Sequence, residues 1–143
     1  MKISTKGLYA LRMLLDLAEH TDAGYISLKD IATRQNISKK YLEQIIPALT
    51  RSEILKANRG SLGGYMLARA PEECTVGEIL RLTEGSLVPV ACLEHEPNKC
   101  EKCGECATLP VWKGLNRVIN DYLDGITLKD IIDQQRERDR GAL

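Results

Sequence analysis

Three short helical patterns followed by a glycine-rich turn constrain the fold of this chain more than any other feature. Leucines and alanines recur at helical spacing over about 5–19, after Ser4 or Thr5 as a cap. Ser27 begins a capping-box pattern, which predicts a second helix to about Gln35. Ser38 is a natural cap for a third helix, whose apolar stripe is Tyr41, Leu42, Ile45, Ile46 and Leu49. Pro47 should kink that helix or start a new turn.

Two strand-like runs follow, at 55–58 and 65–67, and the glycine-rich segment 59–64 (RGSLGG) separates them as a hairpin turn. Two short helices, a tight turn, a third helix and a hairpin are the elements of a winged helix-turn-helix. The expected fold class is therefore mainly α with a small β-hairpin wing. We assign residues 1–85 to this DNA-binding domain, with the wing at about 54–67.

The rest of the chain divides into a cysteine-rich segment and a long helix. Thr75 caps a short helix that Gly85 ends, and residues 86–107 show no periodicity. A helix of about 15 residues should follow, with an apolar stripe of Val111, Leu115, Val118, Ile119 and Tyr122. Since an isolated helix cannot bury its own stripe, residues 108–143 are expected to form a C-terminal dimerisation helix and tail. The charged residues after Gln135 are expected to be frayed.

The charge of the chain excludes binding to polyanions by bulk attraction. Lys and Arg number 20, as do Asp and Glu, so the formal net charge is zero. The zero is a cancellation, because residues 1–67 hold ten Lys or Arg against six Asp or Glu. With aromatic residues at 4% and no Phe, a stacking platform for single strands is not expected.

The start of the third helix carries the side chains that would read double-stranded DNA. Gln44 can pair with adenine, lysine and serine grip phosphate, and Glu43 is tolerated only where it accepts from a cytosine amino group. The candidate contacts are Ser38, Lys39, Lys40, Tyr41, Glu43 and Gln44. The alternative is an ordinary solvated helix face.

The wing supplies two further candidates, Arg59 and Gly60. An arginine at a hairpin tip can enter a narrow minor groove, and the glycines permit positive φ and close approach to phosphate. The alternative is a simple tight turn. A phosphate-binding P-loop is excluded, because no Gly-Lys-Ser/Thr follows and no helix opens after the turn.

Four thiols within 15 residues predict a metal site: Cys92, Cys100, Cys103 and Cys106. Their spacing leaves iron–sulfur and zinc both open. His95 lies between two of them and is a weaker candidate ligand, the alternative being a solvated loop histidine. Cys74 lies apart and is expected to be a small buried apolar residue.

Compartment and reaction class are also constrained. No stretch of 18 apolar residues is present, and the N-terminus is amphipathic rather than a signal-peptide core, so a cytoplasmic protein without membrane contact is expected. Thiols in a reducing compartment favour metal binding over disulfides. No Ser/His/Asp constellation is apparent, and an enzyme is not predicted.

Several motifs together resemble the IscR family of bacterial winged-helix regulators, whose relatives include the nitric-oxide sensor NsrR and the cysteine-metabolism repressor CymR. The resemblance covers Met1 to about Gln135. It is carried by KISTKGLYA at 2–10, ISKKYLEQ at 37–44, RGSLGGY at 59–65, TVGEI at 75–79, three loop cysteines and Trp112.

The resemblance implies a homodimer with one iron–sulfur cluster per subunit, 2Fe–2S being favoured over 4Fe–4S. The family's three cysteine ligands map onto Cys92, Cys100 and Cys106. The histidine that IscR adds is replaced by Leu109, and the aspartate that some nitric-oxide sensors recruit is replaced by Leu8. Cys103 is then the candidate fourth ligand, with His95 as a weaker one.

The predicted function is a dimeric transcriptional regulator whose affinity for a pseudo-palindromic DNA operator is set by an iron–sulfur cluster. It would serve iron–sulfur biogenesis or a redox or nitric-oxide response. One alternative is a cluster-free repressor of cysteine metabolism with structural or zinc-binding thiols. A second alternative, without DNA, is an electron carrier or a zinc-stabilised interaction protein.

Overall fold

A computed structural model describes residues 2–61, 63–95 and 104–141 of the chain. Its regular elements, in chain order, are α1 (Thr5–Glu19), α2 (Leu28–Gln35), α3 (Lys39–Arg51), β1 (Leu55–Asn58), β2 (Gly64–Leu67), α4 (Val76–Glu84), α5 (Leu109–Asp124) and α6 (Leu128–Gly141). Short 3₁₀ turns occupy Thr21–Ala23, Pro71–Glu73 and Ala91–Leu93.

The helices begin where the sequence predicts, because short polar side chains cap them. The hydroxyls of Ser4, Ser27, Ser38 and Thr75 each accept a hydrogen bond from a backbone N–H of the first turn that follows. Asn36 ends α2 with a left-handed φ of 53°, a conformation that asparagine tolerates. That residue lets the chain reverse into α3 within three residues, which forms the helix-turn-helix.

The wing is an antiparallel hairpin whose register runs from the Leu55–Leu67 pair to the Asn58–Gly64 pair. A third segment joins it, which the sequence did not predict: Ile26 exchanges two backbone hydrogen bonds with Tyr65, at 2.9 and 2.8 Å. Gly64 lies so close to the Ile26 backbone that a side chain there would clash with it. The wing is thereby attached to the residues that lead into α2.

Helix α1 lies at the centre of the core and packs against α2, α3, α4 and α6. Fully buried side chains of α1 and of these four helices form the core, among them Met13, Leu14, Ile31, Leu42, Ile45, Leu49, Ile79 and Leu128. Cys74 is completely buried as predicted, and burial raises the pKa of its thiol. The core therefore fixes the back of α3 while its opposite face stays outside.

Two sequence expectations can be compared with the structure. Helix α3 continues through Pro47 to Arg51 without a new start, because the missing N–H lies at an exposed position where water can serve the unpaired carbonyl. The kink at Pro47 stays a prediction. The residues after Gln135 are not frayed, since α6 extends to Gly141. Leu128 and Ile132 anchor that helix in the core, and its Glu, Gln and Arg residues favour propagation of the helix.

The fold is the predicted one: mostly helical, with a two-stranded wing after a helix-turn-helix, followed by a long C-terminal helix. A backbone connection holds the elbow between α5 and α6 to the start of α4. Val76 N–H donates to the Ile126 carbonyl at 2.8 Å, and Leu128 N–H donates to the Cys74 carbonyl at 2.9 Å. The last helix therefore returns to the N-terminal core.

Candidate functional site

The third helix presents a polar face to the outside while its apolar stripe is buried. Leu42, Ile45 and Leu49 have no exposed surface. The predicted contacts Ser38, Lys39, Lys40, Glu43 and Gln44 are all exposed on the other side. Because the buried stripe holds the helix rigidly, these side chains project from a fixed platform.

Tyr41 differs from the other predicted contacts because its ring is half-buried. It packs edge-on against Tyr9 of α1, with ring centroids 5.1 Å apart and planes at 74°. Its backbone N–H donates to Ser38 Oγ at 3.1 Å. The ring is therefore part of the contact between α1 and the first turn of α3, and its hydroxyl is the polar group left for a ligand.

A buried carboxylate joins α1 to the end of α2. Asp16 is 2% exposed and accepts from Arg34 Nη2 at 2.6 Å and Nε at 2.9 Å, and from Gln35 Nε2 at 3.0 Å. Burial by itself raises the pKa of Asp16, but the Arg34 and Gln35 hydrogen bonds and the charges of Arg34 and His20 outweigh it. The pKa therefore lies below its usual value. This network fixes α2 and the turn that leads into α3.

The wing tip carries Arg59 and Gly60, and both are exposed. Gly60 has a φ of 114°, which glycine adopts readily, and its carbonyl accepts from Gly63 N–H at 3.0 Å. A side chain at Gly63 would clash with the Asn58 carbonyl. The glycines thus serve the hairpin's own geometry, and that geometry leaves Arg59 at its outer end.

The cysteine-rich segment is described at its two ends. Cys92 lies in the Ala91–Leu93 turn and Cys106 lies just before α5; both are half-buried, and neither is in a disulfide. Thr108 Oγ1 lies 3.3 Å from Cys106 Sγ. That side chain, with the backbone N–H groups of Thr108 and Leu109, lowers the pKa of the Cys106 thiol. A lowered pKa favours the thiolate, which is the form of cysteine that binds metal.

The structure says less about the other predicted metal ligands. Cys100 and Cys103 lie outside the described residues. His95 is exposed at the edge of the described range. Among the residues that the structure describes, no three Cys, His, Asp or Glu side chains converge as metal ligands. The two described thiols fit a thiolate-bound group in chemistry, because both are unpaired and accessible.

Helix α5 has an apolar stripe that none of the described residues of the chain covers. Val111, Leu115, Val118 and Tyr122 are 42–65% exposed, although they are large and apolar. The C-terminal end of α5 is held firmly: both Arg81 Nη atoms donate to the Asp124 carboxylate, at 2.8 and 2.9 Å. One end of the helix is therefore anchored on α4, and its exposed face is available to another molecule.

Comparison with known protein families identifies the family of this chain. Residues 3–134 match the sequence model of the Rrf2 family, described as an iron-dependent transcriptional regulator. The chain belongs to the Rrf2 family. It is therefore a bacterial helix-turn-helix transcriptional regulator and not an enzyme. Membership of a family of transcriptional regulators also argues against the alternative of an electron carrier that uses its helix-turn-helix only for packing.

Individual members of the Rrf2 family confirm the resemblance to IscR and CymR. The structure of T. potens IscR is 40% identical, with a TM-score of 0.78, over 96% of this chain and 90% of that one. CymR, the global cysteine regulator of B. subtilis, is 36% identical, with a TM-score of 0.72, over 94% and 98%. IscR of Aliivibrio salmonicida is 36% identical over 92% of this chain and 77% of its own length.

One further finding concerns membranes. Within the described ranges, no helix is both long enough and apolar enough to cross a bilayer.

Sequence reasoning missed three groups that position the site: Asp16, Arg81 and the Tyr9–Tyr41 pair. Asp16 had a signal, since it interrupts the apolar inner face of α1 between Met13 and Leu17. Arg81 had none, because an arginine on a helix surface usually points to solvent. Its partner Asp124 lies 43 residues further along the chain.

Proposed function

We propose that this Rrf2-family regulator binds a pseudo-palindromic double-stranded DNA operator as a homodimer, and that an iron–sulfur cluster controls its affinity. The observation that carries the proposal is the exposed polar face at 38–44, on a helix whose opposite face is completely buried. Such a helix gains nothing for the fold from Lys39, Lys40 or Gln44. Their arrangement instead suits the major groove.

The contacts divide by chemistry. Ser38, Lys39 and Lys40 bind phosphates and fix the register of α3, and the hydroxyl of Tyr41 assists them. Gln44 reads adenine, and Glu43 selects for a cytosine amino group and against other bases. Arg59 enters the minor groove beside this site, and Gly60 lets the backbone approach closely.

The dimer uses the exposed stripe of α5. Residues 111, 115, 118 and 122 repeat at intervals of four and three, so their side chains lie along one side of the helix. Packing two such helices about a two-fold axis would bury both stripes, and binding to successive major grooves requires the two α3 helices to lie about 34 Å apart, one turn of DNA. The segment 108–143 then acts as the dimerisation unit beside the DNA-binding domain of 1–85.

The cluster is held by Cys92, Cys100 and Cys106, with Cys103 as the fourth ligand and His95 as a weaker substitute. The resemblance to IscR favours a 2Fe–2S cluster over 4Fe–4S, and zinc is the alternative ion. When bound, an iron–sulfur cluster supplies sensitivity to oxidation, nitric oxide and iron supply. The protein's own contribution is to hold the thiolates, which Thr108 assists at Cys106.

Control of DNA affinity follows from where the segment 86–107 lies. It connects the end of α4 to the beginning of α5, while Arg81 fixes the opposite end of α5 on α4. A cluster that joins Cys92 to Cys106 across this connection would therefore favour one placement of α5 relative to the DNA-binding domain. In a dimer the placement of α5 sets the distance between the two α3 helices. The cluster then changes the affinity for DNA by as much as it stabilises one placement of α5 over the other.

One preparation tests the cluster. Protein purified without oxygen should show visible absorption with iron and sulfide in equal amounts, and holo and apo protein should differ in affinity for the same DNA. Cys103→Ala should lower cluster content, whereas Cys74→Ala should leave it unchanged, because Cys74 is buried in the core. Equal affinities of holo and apo protein on every DNA tested would refute control by the cluster.

The likeness to CymR supports a second candidate, a regulator of cysteine metabolism without a cluster. Identity does not separate the two, at 40% for the IscR structure and 36% for the CymR structure. A colourless, iron-free anaerobic preparation that binds DNA normally would favour this candidate. Either way we place the protein in the cytoplasm, where DNA is present and thiols stay reduced.

A further inference from the structure

Arg12 is an arginine that the structure orients without neutralising. Its Nη2 donates to the backbone carbonyl of Gln35, and its Nε donates to Gln35 Oε1 at 3.4 Å. Its guanidinium also lies 5.5 Å from the centre of the Tyr9 ring. All of these partners are neutral, so they fix the direction of the side chain and leave its positive charge in place.

Three other arginines with ordered contacts are neutralised by a carboxylate. Arg34 is paired with Asp16, Arg69 with Glu78 and Arg81 with Asp124. Among the described residues no carboxylate forms an ion pair with Arg12, and its side chain is exposed. Holding a long cationic side chain in one direction costs side-chain entropy, and the fold obtains only weak contacts in return.

The position of Arg12 supplies the reason for that arrangement. Gln35 is the last residue of α2, and only three residues separate it from Lys39, the first residue of α3. The Tyr9 ring beneath Arg12 packs against Tyr41 in the first turn of α3. Arg12 therefore lies beside the turn that leads into α3, the helix whose first residues are the exposed Lys39 and Lys40.

We infer that Arg12 is a DNA-binding residue that contacts a backbone phosphate flanking the site of α3. This inference rests on the DNA binding proposed above and adds a contact from α1, outside the helix-turn-helix and the wing. The guanidinium has five N–H donors, of which Gln35 takes two, so donors remain for a phosphate oxygen. A phosphate contact carries no base information, so Arg12 contributes equally on every sequence.

The dependence of binding on salt separates this role from a structural one. Each phosphate contact contributes about 0.9 to the slope of log K against log[salt]. We would measure binding to a 40-base-pair duplex of mixed sequence by fluorescence anisotropy, from 50 to 300 mM NaCl. Because Arg12→Gln removes one phosphate contact per bound subunit, it should reduce the slope by about 0.9 for each subunit on the duplex. With equal affinities at 1 M NaCl as the reference, the affinity per subunit should then fall about 15-fold at 50 mM NaCl and about 4-fold at 200 mM.

Two variants serve as controls. Arg12→Lys keeps the charge but gives up the two-point contact with Gln35, so it should keep the wild-type slope. Arg138→Gln removes the same charge from α6, a helix that packs against α1 and the Pro71–Glu73 turn, and it should change neither slope nor affinity. Circular dichroism checks the folding of each variant. Should the glutamine variant fold poorly, Arg12→Met, which keeps the aliphatic stem over Tyr9, replaces it.

The outcomes are distinct. If the wild-type protein shows no salt-dependent binding to the duplex, the proposed function itself fails. If the wild-type protein binds but Arg12→Gln keeps its slope, the Arg12 contact is refuted while DNA binding stands. If the glutamine and lysine variants lose affinity equally with an unchanged slope, Arg12 acts only by holding Gln35, and the inference is again refuted.

Discussion

Replacing Asp16 by asparagine should weaken the attachment of α2 to α1 more than any change of a surface charge. Asp16 is 2% exposed, and Arg34 grips its two oxygens at 2.6 and 2.9 Å. Asparagine keeps the size and one carbonyl acceptor, but it places an amide nitrogen where the second oxygen meets a donor. The variant therefore removes the charge and leaves one strong hydrogen bond unmade.

The loss of stability in Asp16→Asn depends on how deeply Asp16 and Arg34 are each buried. Breaking a fully buried ion pair costs about 3–5 kcal/mol, and a hydrogen bond to a charged group is worth about 1.5–3 kcal/mol. Arg34 is 38% exposed, so water can hydrate the guanidinium that the variant leaves behind. We expect a loss of about 2–3 kcal/mol in the free energy of unfolding, which for a domain of this size lowers Tm by roughly 6–9 °C.

The effect should depend on pH in a defined direction. The pKa of Asp16 is lower in the folded protein than its usual value near 4, so its stabilising contribution is fully present above that value. The contribution is lost as the pH falls through the folded pKa. The difference between wild type and variant should therefore be retained above about pH 5 and should shrink below about pH 4.

Urea unfolding followed by circular dichroism measures both effects. Asp133→Asn is the matched control, since Asp133 forms an exposed pair with Lys129 within α6. That change should cost no more than about 0.5 kcal/mol. The reasoning is refuted if Asp16→Asn costs as little as the control. It is equally refuted if its cost stays constant below pH 4 while the protein is still folded.

Two further predictions concern the dimer and the wing. Val118→Glu should place two like charges across the two-fold interface and weaken the dimer roughly 100-fold or more by light scattering, since such a juxtaposition costs several kcal/mol. Lys113→Glu, on the opposite side of α5, should leave the dimer intact; equal effects of the two changes would count against the α5 interface. Gly64→Ala should lower the stability to urea by about 1–3 kcal/mol, because the added methyl group meets the rigid backbone of Ile26. Unchanged stability would show that the Ile26–Tyr65 bridge is dispensable.

The sequence determined the parts of this fold that depend on neighbours along the chain. Ser27, Ser38 and Thr75 cap their own first turns, so the helix starts were predictable. The apolar spacing of α3 identified the buried stripe, and therefore also the exposed face that carries Lys39 and Gln44. The glycines within 60–64 predicted the hairpin, because a tight turn also depends only on residues that are neighbours along the chain.

The extent of regular structure was less predictable where stability comes from distant packing. The charged residues after Gln135 indicate solvent exposure, and they are exposed, but exposure does not decide between a helix and a frayed tail. The burial of Leu128 and Ile132 by α1 decided it, because a helix anchored at its start propagates at little cost.

Only the tertiary structure decided which charges are used by the fold and which are left for a ligand. Arg12, Arg34 and Arg81 look alike in the sequence, each on the polar side of a helical pattern. Arg34 and Arg81 meet carboxylates 18 and 43 residues away, whereas Arg12 meets a carbonyl and an aromatic ring. Local patterns cannot specify such pairs, because the partner is chosen by how whole helices pack, and an unpaired arginine costs little in water.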